Sequence, residues 1–191
     1  MVGVDHALPR FLREAGEGAQ AAFAASCVER ASAVFFLAVA AERDRGADVE
    51  TYLRLLEDLW GAPNLSLEER ASRQEQIDAF PEMQTESDDE PPGILAFAFD
   101  AVGAMYYAYT YLATGESENI TYTSNHNLNI AGFIDDAVTG ESSRYEEEIA
   151  AQIRDMETLS ADFASVDLAA LRDQAQAAGR AHVEVLRAAF L

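Results

Sequence analysis

Four charged residues sit where a charge is costly. Glu29 and Arg30 end the apolar run Phe23-Ala24-Ala25-Ser26-Cys27-Val28, Asp58 lies among leucines just before Trp60, and Asp100 follows Phe97-Ala98-Phe99. A buried charge is tolerated only when it is paired and hydrogen-bonded. The simplest expectation therefore sets Arg30 against Glu29, Asp58 or Asp100 inside the fold, where the pair would fix helix register. The same carboxylates, together with His126, also define a candidate inter-helix pocket, since closely placed carboxyl and imidazole groups can exchange protons with a substrate. The chain offers no evident nucleophile, oxyanion donor or phosphate-binding glycine loop, so no catalytic residue is assigned. His6, His126 and His182 are preceded three residues earlier by Gly3, Thr123 and Gly179. None completes the Glu-x-x-His spacing of carboxylate-bridged metal bundles, and neither a metal site nor a cofactor is expected.

A second group suits recognition rather than chemistry. Glu86, Asp88, Asp89 and Glu90 form one acidic cluster and Glu146, Glu147 and Glu148 another. Tyr106, Tyr107, Tyr109 and Tyr111 crowd one segment. Helical spacing puts Tyr106 with Tyr109 and Tyr107 with Tyr111 on opposite faces, so one pair is expected in the core and Tyr107 with Tyr111 outside. Exposed tyrosine beside acid is suited to contacting a partner protein.

The composition reinforces that reading. Thirteen basic residues, all arginine, oppose 34 acidic ones, giving a net charge of −21. A GC-rich genome, a salt-adapted cytoplasm and selection for a cationic partner each account for this. Such a field attracts basic surfaces and repels phosphate backbones and anionic lipid, so neither nucleic acid nor membrane is an expected partner. The single Cys27 permits no internal disulfide and reads as a small buried thiol. The N-terminal residues lack the pattern of a signal peptide, and the apolar stretch 31–41 is too short to cross a bilayer, so a cytoplasmic location is expected. The oligomeric state is left open.

These residues need elements to position them. Alanine dominates the apolar share while valine and isoleucine are modest, which favours helix over sheet. Helical periodicity runs over 19–43, from a cap at Asp48 to Trp60, from Ser66 to about Phe80 with Glu69 at capping-box spacing, over 94–114, 119–138 and 141–159, and from a cap at Asp167 toward the C-terminus. A short helix or arm precedes them around Leu8, Phe11 and Leu12. Proline and acid over 81–93 predict an exposed loop. The expectation is one all-α domain over 1–191, a bundle of about six to eight helices.

The segments Phe23-Ala24-Ala25-Ser26-Cys27-Val28-Glu29-Arg30 and Tyr52-Leu53-Arg54-Leu55-Leu56-Glu57-Asp58-Leu59-Trp60 resemble the start of the bacterial YjaG-like family, a domain of unknown function. Phe99-Asp100-Ala101-Val102 followed by Gly115-Glu116 is similar to its central part, and the likeness spans 19–140. The resemblance implies an all-helical fold of this length and no activity. The acidic stretch before Pro91 and the absence of lysine depart from it.

Together these features predict a non-enzymatic acidic helical protein that binds a basic protein, one concrete form being an immunity or antitoxin-like protein. The alternative is a cytoplasmic enzyme or small-ligand protein built around Asp100, Glu29 and His126.

Overall fold

The computed structural model describes residues 3–40, 42, 44–62, 65–84, 93–139 and 143–190. Among them eight α-helices and no strand are found: α1 (Val4–Glu14), α2 (Glu17–Val39), α3 (Gly46–Trp60), α4 (Leu67–Asp78), α5 (Leu95–Thr114), α6 (Glu118–Ile134), α7 (Ser143–Leu159) and α8 (Leu168–Phe190). The all-α bundle anticipated from composition is the fold.

α2 is the axis. It packs against α3, α5, α6, α7 and α8, and Phe23, Val28, Val34, Phe35 and every alanine but Ala33 are buried, on all sides of the helix. A helix that is apolar all round has no solvent face to offer, so its neighbours must enclose it. By length and composition alone α2 could cross a bilayer, and 89% of its most apolar window lies inside the bundle. Gln20, near its start, donates to Leu12 O (2.9 Å) and Ala15 O (2.8 Å), satisfying carbonyls left open where α1 ends.

Close approach marks the crossing of α8 over α2. A Cβ on Gly179 would stand 2.6 Å from the Arg30 carbonyl oxygen, so only glycine lets the two backbones meet there. Nearer the other end of α2, Phe35 stacks on Tyr52 of α3 at 4.3 Å, and Phe80 meets both rings edge-on. The hydroxyls of the buried Tyr52 and Tyr109 donate to Ala101 O (3.2 Å) and Leu55 O (2.8 Å).

The termini follow local chemistry. Ser66 and Glu69 form the anticipated capping box on α4, and the Asp167 carboxylate accepts from Ala169 N and Ala170 N at the start of α8. Gly115 takes the left-handed conformation (φ 73°) that closes α5. Two boundaries differ from the sequence reading. α3 opens at Gly46, and Asp48, the expected cap, lies in its first turn, paired to Arg45. α6 passes into a π-turn over Asp135–Thr139, which brings the buried Asp135 carboxylate to Arg144 N (3.0 Å) and Tyr145 N (2.9 Å), the open donors of α7.

The expected loop over 81–93 is anchored at its start. Pro81–Met83 form a 3₁₀ turn, and Glu82 is buried against Arg45 at 2.8 Å, so this part is not the exposed acidic loop anticipated. Glu86, Asp88, Asp89 and Glu90 lie outside the described residues.

Candidate functional site

Neighbouring residues on α2 serve two separate charge networks. Arg30 is 1% exposed. Its Nε donates to Glu148 Oε1 (3.0 Å), one terminal nitrogen donates to Asp155 Oδ2 (2.5 Å) and to Ser26 Oγ (2.9 Å), and the other approaches Cys27 Sγ (3.3 Å). Gln152 extends the chain by donating to Glu148 Oε1 (2.9 Å), and Ser124 Oγ donates to Gln152 Oε1 (2.6 Å). Burial works against the charged guanidinium, but Glu148 and Asp155 outweigh it and hold Arg30 above its ordinary range. Burial likewise raises the Glu148 carboxyl, against the pull of Arg30 and Gln152, and raises the Cys27 thiol.

Glu29 points its charge elsewhere. Its carboxylate accepts from Trp60 Nε1 (2.7 Å), Arg172 Nε (2.9 Å) and Gln176 Nε2 (3.0 Å), with the Arg172 guanidinium 5.9 Å from the Trp60 ring centre. Asp58 is half-buried and paired to Arg73 at 2.6 Å. The expected pairing of Arg30 with Glu29, Asp58 or Asp100 is therefore corrected. Glu29 is adjacent in sequence but leaves α2 in a different direction, toward α3 and α8, and the partners of Arg30 come from α7. Glu148, expected on the surface with Glu146 and Glu147, is 2% exposed and belongs to this interior network, whereas Glu146 and Glu147 are exposed.

α5 and α6 build a different kind of site. Glu118, Tyr122 and His126 recur every fourth residue along α6, and Asp100, Gly103 and Tyr107 at steps of three and four along α5, so both rows face one way. His126 Nδ1 donates to Asp100 Oδ1 at 2.7 Å, and Asn129 Nδ2 donates to the same oxygen at 3.3 Å. Since a carboxylate only accepts, the imidazole proton is on Nδ1. The imidazole stacks on Tyr107 with centroids 5.5 Å apart, Tyr107 meets Tyr122 at 4.8 Å and Tyr106 at 5.2 Å, and the Tyr122 hydroxyl donates to Glu118 Oε1 at 2.8 Å. Tyr122 is 40% exposed and Tyr106, Tyr107 and His126 are half-buried. The outcome is a strip of four rings with the exposed Glu118 carboxylate at one end and the Asp100 carboxylate, 4% exposed, beneath the other.

Gly103 lies beneath it. A Cβ there would fall 2.6 Å from His126 Cε1, so the imidazole rests on bare α5 backbone. Glycine costs about 1 kcal/mol in a helix interior relative to alanine, and here the space it leaves is filled by His126.

Tyr111 was expected outside with Tyr107 but is 4% exposed. α5 is enclosed by α2, α4 and α6, so two tyrosine faces could not both be free. The Tyr111 hydroxyl donates to Glu17 O at 3.4 Å, and burial, with Glu17 adding to it, pushes its pKa up to about 12. It lines a cleft of about 360 Å³ between α2, α4 and the end of α5, where Arg70 donates to Leu112 O at 2.7 Å. The candidate pocket of Asp100, Glu29 and His126 is only partly assembled: Asp100 and His126 touch, while Glu29 serves the Trp60–Arg172 network. The sequence marks Tyr122 and Asn129 only as members of a polar stretch, 119–129, able to line a groove, and Glu118 not at all, although their spacing with His126 carries the signal. Comparison with family models, curated proteins and solved structures found no match for the chain.

Proposed function

We propose that this chain is a non-enzymatic binding protein that docks a basic protein on the α5–α6 ring strip. The observation that carries the reading is the strip itself: Tyr107 in contact with Tyr106, Tyr122 and His126, bounded by Asp100 and Glu118. Arginine guanidinium groups bind ring faces and carboxylates together, by cation–π attraction and by charge-assisted hydrogen bonds. The wider charge distribution supports the same direction. The net charge of −21 makes the outward field strongly negative, and among the described residues six arginines are already engaged in ion pairs by the chain's own carboxylates. One concrete form is an immunity protein whose acidic face fills the cationic cleft of a toxin; the resemblance to the YjaG-like family adds no activity to this.

The test separates the rings from the field. An oligo-arginine peptide is titrated into the protein and into the double variant Tyr107→Ala, Tyr122→Ala, which has the same net charge. The expected result is about tenfold weaker binding by the variant, together with loss of affinity for both between about 50 and 500 mM salt. Equal affinities would mean that the field alone attracts the peptide, and the strip would lose its role.

A further inference from the structure

The cleft of about 360 Å³ beside Tyr111 is formed by the first turns of α2 and α4 and the last turn of α5. That size lies within the range of small-molecule sites. Among the described residues two charged side chains line it, Glu17 from α2 and Arg70 from α4, and neither enters an ion pair. The Arg70 guanidinium is held by two backbone carbonyls, Leu112 O at 2.7 Å and Ala62 O at 3.5 Å, while its Nε is buried and donates to nothing. A buried donor of a charged group is costly to leave open, and the cleft beside it is where an acceptor can be supplied. Much of the remaining lining is apolar. Ala21, Ala62 and Leu112 are buried, and Leu67, 73% exposed, is the most exposed large apolar side chain among the described residues.

We infer that this cleft binds a free α-amino acid with an aliphatic side chain, its carboxylate accepting from the Arg70 guanidinium, its ammonium donating to Glu17 and its side chain lying against Leu67 and Leu112. The lining selects the class. A simple carboxylate would satisfy Arg70 but be brought toward the unpaired Glu17, and a simple amine would satisfy Glu17 but be brought toward the unpaired Arg70. A zwitterion gives each its counter-charge through charge-assisted hydrogen bonds. The two charges act on one neighbourhood: the Tyr111 hydroxyl, pushed up by burial, is raised further by Glu17 and drawn back by Arg70. At neutral pH that hydroxyl keeps its proton and can also donate to the carboxylate. None of the ring-strip residues takes part, so this inference and the docking reading stand or fall separately.

The test uses the full chain labelled with ¹⁵N-glycine, because Gly18 and Gly115 line the cleft while Gly132 and Gly179 lie elsewhere and serve as controls. L-Leucine is titrated at constant ionic strength, with 4-methylpentanoate, which lacks the ammonium, 3-methylbutylamine, which lacks the carboxylate, and L-alanine, which lacks most of the side chain, in parallel. A saturable shift of the Gly18 and Gly115 amides is expected with leucine, and binding about tenfold weaker with each of the other three. The exposed Glu17 carboxylate is removed in Glu17→Gln, where circular dichroism should stay helical and leucine should bind no better than 4-methylpentanoate. Arg70→Gln is expected to lower the affinity for leucine and 4-methylpentanoate alike, with 3-methylbutylamine unaffected. Unmoved Gly18 and Gly115 amides overturn the inference; so does either single-charge analogue binding as tightly as leucine, or a preference for leucine over 4-methylpentanoate that survives in Glu17→Gln.

Discussion

Arg30 and His126 each meet a carboxylate at short range, Asp155 at 2.5 Å and Asp100 at 2.7 Å, yet the two pairs do different work. The Arg30 side chain is 1% exposed and its donors are all directed at groups of this chain, from α2 itself and from α7. The His126 side chain is 17% exposed, stacked on a tyrosine and open at the edge of the bundle. An ion pair whose valences are closed inside the protein contributes to holding helices in register. The His126–Asp100 hydrogen bond instead holds an imidazole against the ring of Tyr107, itself in contact with Tyr122, and these rings remain available to a partner. Both carboxylates are buried, so what separates the structural pair from the candidate binding pair is the surroundings of the cationic partner: Arg30 is enclosed, whereas the His126 imidazole lies against partly exposed rings.

The widest gap between the regions is expected on removing the guanidinium. Arg30→Ala leaves Glu148 and Asp155 buried without a counter-charge, and urea denaturation should show a loss of about 3–5 kcal/mol. A loss below about 1 kcal/mol would show that the cluster is not what fixes α7 on α2. The triple replacement Arg30→Met, Glu148→Gln, Asp155→Asn sharpens the point, since removing all the charges together is expected to recover most of that loss.

Acid should next separate them. His182 borders the Arg30 cluster, and its folded pKa of about 4 lies below the ordinary 6.5. Between these values the unfolded chain binds the proton and the native protein does not, so this contribution is complete above about pH 6.5 and is lost as pH falls toward 4, amounting to about 3 kcal/mol. Glu148, raised by burial, works in the opposite direction: its contribution is complete below 4.5 and declines as pH rises from there. The difference between wild type and His182→Gln isolates the histidine, and a stability difference that stays flat from pH 7 to pH 4 would refute its role. At the α2–α8 crossing, Gly179→Ala drives a Cβ against the Arg30 carbonyl, and thermal denaturation should report about 1–2 kcal/mol lost.

The same contrast explains what the sequence could disclose. Helices were legible because alanine content and 3.6-residue periodicity are local properties, and the caps at Ser66 and Asp167 were legible because capping is decided within three residues. That Glu29 and Arg30 needed partners followed from their apolar surroundings. Which partners they found did not, because Glu148 and Asp155 are 118 and 125 residues away from Arg30, and their approach depends on how α7 lies on α2. Tyr111 was misplaced for a related reason: periodicity gives the angle between two side chains and says nothing about how many neighbours enclose the helix. The ring strip was half legible. Tyr107 and His126 stood out by type, but joining them required α5 and α6 to lie side by side with Gly103 at the contact.

That contact supplies the smallest expected change in stability and the most direct probe of the strip. In Gly103→Ala the helix gains propensity of about 1 kcal/mol while the new methyl group displaces His126, and the two effects oppose one another. Urea midpoints should therefore move by less than about 1 kcal/mol, in contrast to Gly179→Ala, where the obstructing atom is backbone and cannot swing aside. Displacing the imidazole breaks its stacking on Tyr107 and its bond to Asp100 together, so oligo-arginine affinity should fall about tenfold with net charge unchanged. Undiminished affinity in the folded variant would show that His126 is only a spacer between the helices. A fall in affinity without a matching fall in stability would place recognition, and not packing, at the outer pair.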